Sequence, residues 1–156
     1  MILPLKELDK MKQIVLMFSF VITLFGCGDD AYKGRTTEVI SKWDNGTVKE
    51  ERISLKGDTI ECISYYENFK IHTRGMVINR NGVDVKIGRW DTFYPNGLKW
   101  SLNSFSSGVT DGKYQTWHPN GTINIIGHYS NGVETGVWKF LDSTGVVVKE
   151  FDATPG

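Results

Sequence analysis

Apolar and polar positions alternate along much of this chain, and the alternation itself repeats. At a step of 24 residues Trp90, Tyr114 and Trp138 coincide, as do Phe93, Trp117 and Leu141, and Tyr94, His118 and Asp142. Glycines keep the same step, in the sets Gly88, Gly112, Gly136 and Gly97, Gly121, Gly145, with Gly108 and Gly132 as a further pair. Such a register marks a repeat architecture, which takes precedence over any other reading of a fold. Residues an even number apart on a strand share a face. Trp90, Thr92 and Tyr94 are therefore expected on one side, and Asp91 and Phe93 on the other.

Each unit contains two turn signals 11 residues apart, the first at Pro95-Asn96-Gly97 or Pro119-Asn120-Gly121, the second at Ser107-Gly108 or Asn131-Gly132. Proline pre-sets the second turn position, asparagine tolerates the third, and glycine supplies the left-handed residue that rejoins a twisted ladder. The third copy, Asp142-Ser143-Thr144-Gly145, keeps the glycine. The same grammar runs backward through Asn45-Gly46 and Gly57, and "SYYENFK" at 64–70 aligns with "TFYPNGL" at 92–98, with Phe69 in place of the turn glycine. Five first turns result, ending at Gly46, Phe69, Gly97, Gly121 and Gly145. Turn, strand, turn, strand is the rhythm of successive hairpins. The sequence thus predicts an all-β fold, an elongated antiparallel β-meander of about five hairpin repeats, divergent over 37–87 and regular over 88–156.

Composition agrees. Val, Ile, Thr and aromatic residues are plentiful, Leu and Ala are sparse, and 17 glycines are scattered among them, a mixture suited to strands and tight turns. Eighteen basic residues balance 18 acidic ones, which leaves no positive excess for a nucleic-acid backbone. No nucleic-acid partner is expected.

The first 26 residues predict an address. From Met11 and Lys12 the chain runs apolar over Ile14–Phe25, 12 residues. A bilayer-spanning helix needs ~20, so a secretory leader is favoured over a permanent anchor. The run closes in Leu24-Phe25-Gly26-Cys27, which resembles the bacterial lipoprotein box. That resemblance implies a signal peptide over 1–26, a lipid-modified Cys27, a flexible tether over 27–36 and attachment to a membrane, expected to be the outer one. Loss of the leader takes three basic and two acidic residues and leaves 15 against 16. Only Cys62 then remains, and its alternation with Ile60 and Ser64 reads as a small residue on a strand face.

Units written Gly-x-Trp-x-x-Phe/Tyr-Tyr-x-Asn-Gly also resemble the MORN-repeat variant of bacterial proteins, many of them described as antitoxin components of toxin–antitoxin systems. The residues that carry this are Gly88, Trp90, Phe93, Tyr94, Asn96 and Gly97, then Gly112, Tyr114, Trp117, Asn120 and Gly121, then Gly136, Trp138 and Gly145. The resemblance implies a twisted sheet of hairpins used as an interaction surface, without shared catalytic residues.

No catalytic constellation, cofactor or metal site is expected, because His72, His118 and His128 have no His-x-x-x-His partner spacing and no Gly-x-Ser-x-Gly elbow occurs. The expected role is non-enzymatic binding of a protein partner in the cell envelope. The alternatives are glycan or cell-wall binding and immunity or antitoxin-like neutralisation of a toxin. Trp90, Tyr94, Tyr114, His118 and Trp138 are the candidate partner-binding residues, with burial as scaffold the competing reading of the same aromatic columns. Pro95, Asn96, Gly97, Pro119, Asn120, Gly121 and Gly145 are expected to build turns. "VVVKEF" at 146–151 is a candidate for pairing at an open edge, and the oligomeric state stays open.

Overall fold

The computed structural model describes residues 35–154. The leader, Cys27 and most of the tether lie outside these described residues. The rest forms ten strands: β1 (Thr36–Lys42), β2 (Val48–Ser54), β3 (Thr59–Tyr65), β4 (Ile71–Arg80), β5 (Val83–Phe93), β6 (Lys99–Ser106), β7 (Val109–Trp117), β8 (Ile123–Ser130), β9 (Val133–Leu141) and β10 (Val147–Asp152). They build one open antiparallel sheet in which every strand pairs with its sequence neighbours, β1 to β10 in order. No helix occurs among the described residues, and none there is long and apolar enough to cross a membrane.

The five first turns share one geometry. The amide of the opening residue donates to the carbonyl four residues on, and the amide three residues on donates back: Tyr94 N to Leu98 O and Gly97 N to Tyr94 O, both 2.8 Å. The same pairs recur around Trp43, Tyr66, His118 and Asp142. The fourth residue is left-handed each time, with φ of 82° at Gly46, 65° at Phe69, 92° at Gly97, 87° at Gly121 and 90° at Gly145. Only glycine takes that conformation without penalty. Beyond each turn the register slips by one residue, because Thr92 pairs with Ser101 while Phe93 pairs with Lys99. Trp100 is thereby left unpaired as a bulge, as are Lys49, His72, Asn124 and Val148 in the other units.

Most of the opposite turns are two-residue hairpins with both residues left-handed: Asn81-Gly82, Ser107-Gly108 and Asn131-Gly132. This type I′ geometry matches the right-handed twist of paired strands. A wider irregularity follows in three ladders. Between the pairs Arg74–Asp91 and Met76–Ile87, β4 advances two residues while β5 advances four, and the same step recurs at Asn103–Phe105 against β7 and Ile126–His128 against β9. Gly88, Gly112 and Gly136 sit in these bulges, which explains the glycine column upstream of the aromatics. Repeated bulges bend and twist a sheet.

Cross-strand partners assign the faces. Ile63, Arg74, Asp91, Leu102, Gln115, Ile126, Lys139 and Glu150 run along one face. Cys62 and Gly75 lead the other, which continues through Trp90, Asn103, Tyr114, Gly127, Trp138 and Phe151. The core is thin, as a single layer requires. Ile63, Val77, Leu102 and Trp138 are its buried apolar residues, joined by Gln115 and Thr116.

Candidate functional site

The column Tyr94/His118 does a structural task that its spacing alone does not reveal. Tyr94 Oη donates to the carbonyl of Trp117 at 2.8 Å, and Tyr66 Oη reaches the carbonyl of Phe93 at the same distance. His118 Nε2 lies 2.9 Å from the carbonyl of Leu141, where only a protonated Nε2 can donate. Trp43 Nε1 makes the same reach, to the carbonyl of Tyr65 at 3.2 Å. In each case the acceptor immediately precedes the next residue of the column, so every first turn is clasped to the one after it. The fifth member, Asp142, has no following turn of this kind among the described residues. Its carboxylate closes on its own loop, accepting from Thr144 N, Thr144 Oγ1 and Val146 N. The Thr144 hydroxyl, together with the amides of Val146 and Thr144, holds the Asp142 carboxyl below the usual carboxylate range.

Asn120 strengthens the fourth clasp, donating from Nδ2 to Ser143 O at 2.8 Å while its Oδ1 accepts from Thr122 N. Asn96 accepts from Leu98 N in the same way. Pro95, Pro119 and the glycines take the turn positions that their chemistry predicts.

Tyr114 and Trp138 stand together in an aromatic cluster with Tyr129, Phe140 and Phe151. Ring centroids of Tyr114 and Trp138 are 5.5 Å apart, those of Tyr129 and Trp138 5.2 Å, and Phe151 stacks on Trp138 at 6.4 Å. Trp138 is only 3% exposed. Its ring lies flat over Gly127, where a Cβ would come within 2.4 Å of Cδ2. Trp138 Nε1 has no hydrogen-bond partner. Burial, with Glu134 nearby, pushes the Tyr114 phenol above its ordinary value. Trp138 is thus packed as core, with Tyr114 beside it.

Trp90 has a different setting. Its ring covers Gly75, where a Cβ would lie 2.1 Å from Cδ2, its Nε1 donates to Met76 O at 3.1 Å, and Lys86 Nζ sits 4.5 Å from the ring centroid. Trp90 also forms one wall of a groove of about 590 Å³ on the first half of the sheet. Trp43 forms another wall, with Lys49 Nζ 4.6 Å from its centroid. Between them lie Glu50, Arg52, Cys62, Ser64, His72, Thr73 and Asp84. Arg52 pairs with Asp84 through its terminal nitrogen, and its buried Nε is unpartnered. Burial pushes the Cys62 thiol up, an effect that nearby Arg52 partly offsets. A thiol raised in this way is a poor nucleophile.

Of the five aromatic candidates, then, the structure places Trp90 on an open groove, Tyr94 and His118 in clasps, and Tyr114 and Trp138 in a packed cluster. The groove's remaining residues come from the divergent part of the chain, where no column spacing pointed to them. The one available signal was the loss of a large side chain there: where the later units place Tyr114 and Trp138, the divergent unit has Cys62.

A hairpin with this turn chemistry has a counterpart among known families. Residues 110–131 match the family model of the MORN repeat variant. The matched segment covers β7, β8 and the first turn between them, which includes the clasp residue His118. No curated protein and no solved structure matches the chain. The MORN repeat variant is matched over one unit, and the same first-turn hydrogen bonds recur at four further turns outside or beside it.

Proposed function

We propose that this chain is a non-enzymatic lipoprotein of the cell envelope that binds a protein partner through the first half of its sheet. The observation that carries the reading is the groove between Trp43 and Trp90, which stays open while the equivalent row on β7 to β10 is filled by Tyr114, Trp138 and Phe151. Its walls are apolar and its floor carries both signs of charge, a surface suited to a polypeptide segment with mixed side chains. Sugar stacking is less well served. Both tryptophans already have a lysine against the ring and have spent their indole N–H groups on backbone carbonyls.

A photo-reactive residue placed at Ser64 or Thr73 in the full chain tests this in intact cells. A discrete crosslinked protein is expected from these positions and not from Ser130 on the second half. Recovery of no protein from Ser64 and Thr73 would overturn the proposal. Membrane attachment is a separate part of the reading and rests on Leu24-Phe25-Gly26-Cys27. Several acyl chains on Cys27 would hold the chain to a bilayer, each buried methylene contributing ~0.8 kcal/mol. Intact-mass measurement of membrane fractions should show the lipid, and an unmodified Cys27 would count against it.

A further inference from the structure

The sheet is open, so β1 and β10 each have one side on which no strand of the sheet is paired. An edge of this kind is a template for another strand, and charges or bulges are the usual means of blunting it. Apolar side chains stand out on both edges: Val39 and Ile40 are 45% and 47% exposed, Val147 and Val148 45% and 65%. Each edge also keeps a short regular stretch. On β1 it covers 36–39, up to a slip at Ile40 where Val39 pairs with Glu51 and Ser41 with Glu50. On β10 it covers 149–152.

Bonds at the strand ends fix which backbone groups point outward. Ala153 N donates to Gly136 O on the β9 side, so by alternation Phe151 and Lys149 bond towards β9 and Glu150 turns out. Leu55 N donates to Thr59 O, so Ile53 bonds towards β3 and Arg52 towards β1, where its register partner is Glu38. Thr37 and Val39 therefore turn out. The side chains sort just as clearly. Lys149 and Glu38 lie on the face of Trp138 and Cys62, whereas Glu150 and Thr37, register partners of Lys139 and Ile53, lie on the other.

We propose that β10 of one copy of the chain pairs antiparallel with β1 of a second copy, with Glu150 opposite Thr37. This register joins outward backbone to outward backbone, sets Lys149 against Glu38 and brings Val148 to Val39. Opposite charges and β-branched residues are cross-strand pairs that stabilise a ladder. Neither Lys149 nor Glu38 makes an ion pair among the described residues, and Lys149 Nζ rests over the rings of Phe140 and Phe151. Pairing β10 with β10 of another copy is worse matched, because its two registers of fullest overlap oppose Lys149 to Lys149 or Glu150 to Glu150. The mating edges differ, so each contact leaves one of each free and the assembly grows head to tail. No clasp crosses the junction, since Asp142 has closed on its own loop, and the contact is weaker than pairing inside the chain. It is independent of the protein-binding reading above.

Sedimentation of the full chain in non-ionic detergent, over a concentration series up to about 0.5 mM, reads the assembly. Species larger than a dimer are expected. Glu38→Lys or Lys149→Glu alone should weaken association by about fivefold or more, and the double variant that carries both should restore it. Both are exposed edge positions, so the melting temperature should hardly move. The register is read by mixing a Glu38→Cys chain with a Lys149→Cys chain under mild oxidation. These residues form a non-hydrogen-bonded pair, whose Cα separation of about 4.5 Å permits a disulfide. A linkage between positions 38 and 149, identified by peptide mass, is expected, whereas Thr37→Cys, on the other face, should give none with Lys149→Cys. A monomer at every concentration, unchanged association in the single variants, a double variant that fails to recover, or an assembly that stops at a dimer would each overturn the proposal. So would mixed chains that yield only disulfides between two copies of position 149, which would assign the edge to two-fold pairing of β10.

Discussion

The two halves of the sheet are written in one backbone grammar and finished differently. From β6 to β10 the row beneath Trp138 is filled by Tyr114, Tyr129, Phe140 and Phe151, whose rings stack or meet edge to face. From β1 to β4 the same row holds Arg52, Cys62 and Gly75, and a groove remains. Backbone hydrogen bonds at the first turns do not distinguish the halves. The comparison teaches that a repeat separates two tasks: turns and clasps maintain the sheet, which frees side chains on its face to pack in one region and stay open in another.

If this division is real, truncation should be felt unequally. Trp138→Ala is expected to cost about 3–5 kcal/mol, the range for emptying a buried aromatic site. Trp43→Ala, at a half-buried groove wall, should cost well under half as much. Urea unfolding of both variants reads the difference, and equal losses would break the comparison. Trp138→Phe refines it. This variant removes an indole N–H that is buried without a partner, so it should be much milder than alanine.

A smaller effect is expected beneath the tryptophan. Gly127→Ala would place a Cβ 2.4 Å from the Trp138 ring, and displacing that ring should cost roughly 1–3 kcal/mol. Thermal melting of Gly127→Ala should therefore show a clear loss, whereas alanine at the open Gly136 contact, where no atom lies within 4 Å, would report backbone strain alone. Smaller again is Tyr94→Phe, which removes one clasp and should cost about 1 kcal/mol. Tyr66→Phe should match it, since both donate at 2.8 Å to an equivalent carbonyl. Unequal losses would mean that the clasps belong to one half rather than to the whole array.

The smallest expected effect is a pH dependence at Asp142. Its carboxyl is held below the ordinary value by the Thr144 hydroxyl and by the amides of Val146 and Thr144. A depressed folded-state value means that the stabilisation is fully present above the unfolded value of about 3.9 and is lost as pH falls through the lower folded value. Asp142→Asn should lower neutral-pH stability slightly, converge with the wild type in acid, and so flatten the acid limb of the melting curve below about pH 4. An identical acid limb in the variant would remove Asp142 as a cap.

Much of this was legible in the sequence, and what was not has a physical cause. Turn residues act locally, so Pro95-Asn96-Gly97, Pro119-Asn120-Gly121 and Gly145 disclosed the five-turn meander, including the turn that ends at Phe69, whose left-handed backbone the structure adds. Contacts between strands were harder to foresee. Gly75 and Gly127 lie under Trp90 and Trp138, yet they are 52 residues apart and keep no 24-residue step. The bulges at Gly88 and Gly136 shift the ladder by two residues, which defeats a count based on alternation alone. The clasps were visible in principle. Trp43, Tyr66, Tyr94 and His118 all stand three residues before a turn's left-handed position, and all four have an aromatic ring that bears a polar N–H or O–H. What spacing did not reveal was their direction, forward to the next turn rather than outward to a partner. The open groove was least legible, because it arises from side chains that are small or polar where the other half is large.

The clasp ladder also bears on how such a chain lengthens. Each ring N–H or O–H donates to a carbonyl one unit ahead, while the carboxylate of Asp142 accepts within its own loop. A duplicated or deleted span of 24 residues between Tyr94 and His118 would therefore leave every ring with a carbonyl to meet and the terminal acid still self-contained. Unit number becomes a quantity that recombination can alter one link at a time, with no new folding problem at either junction.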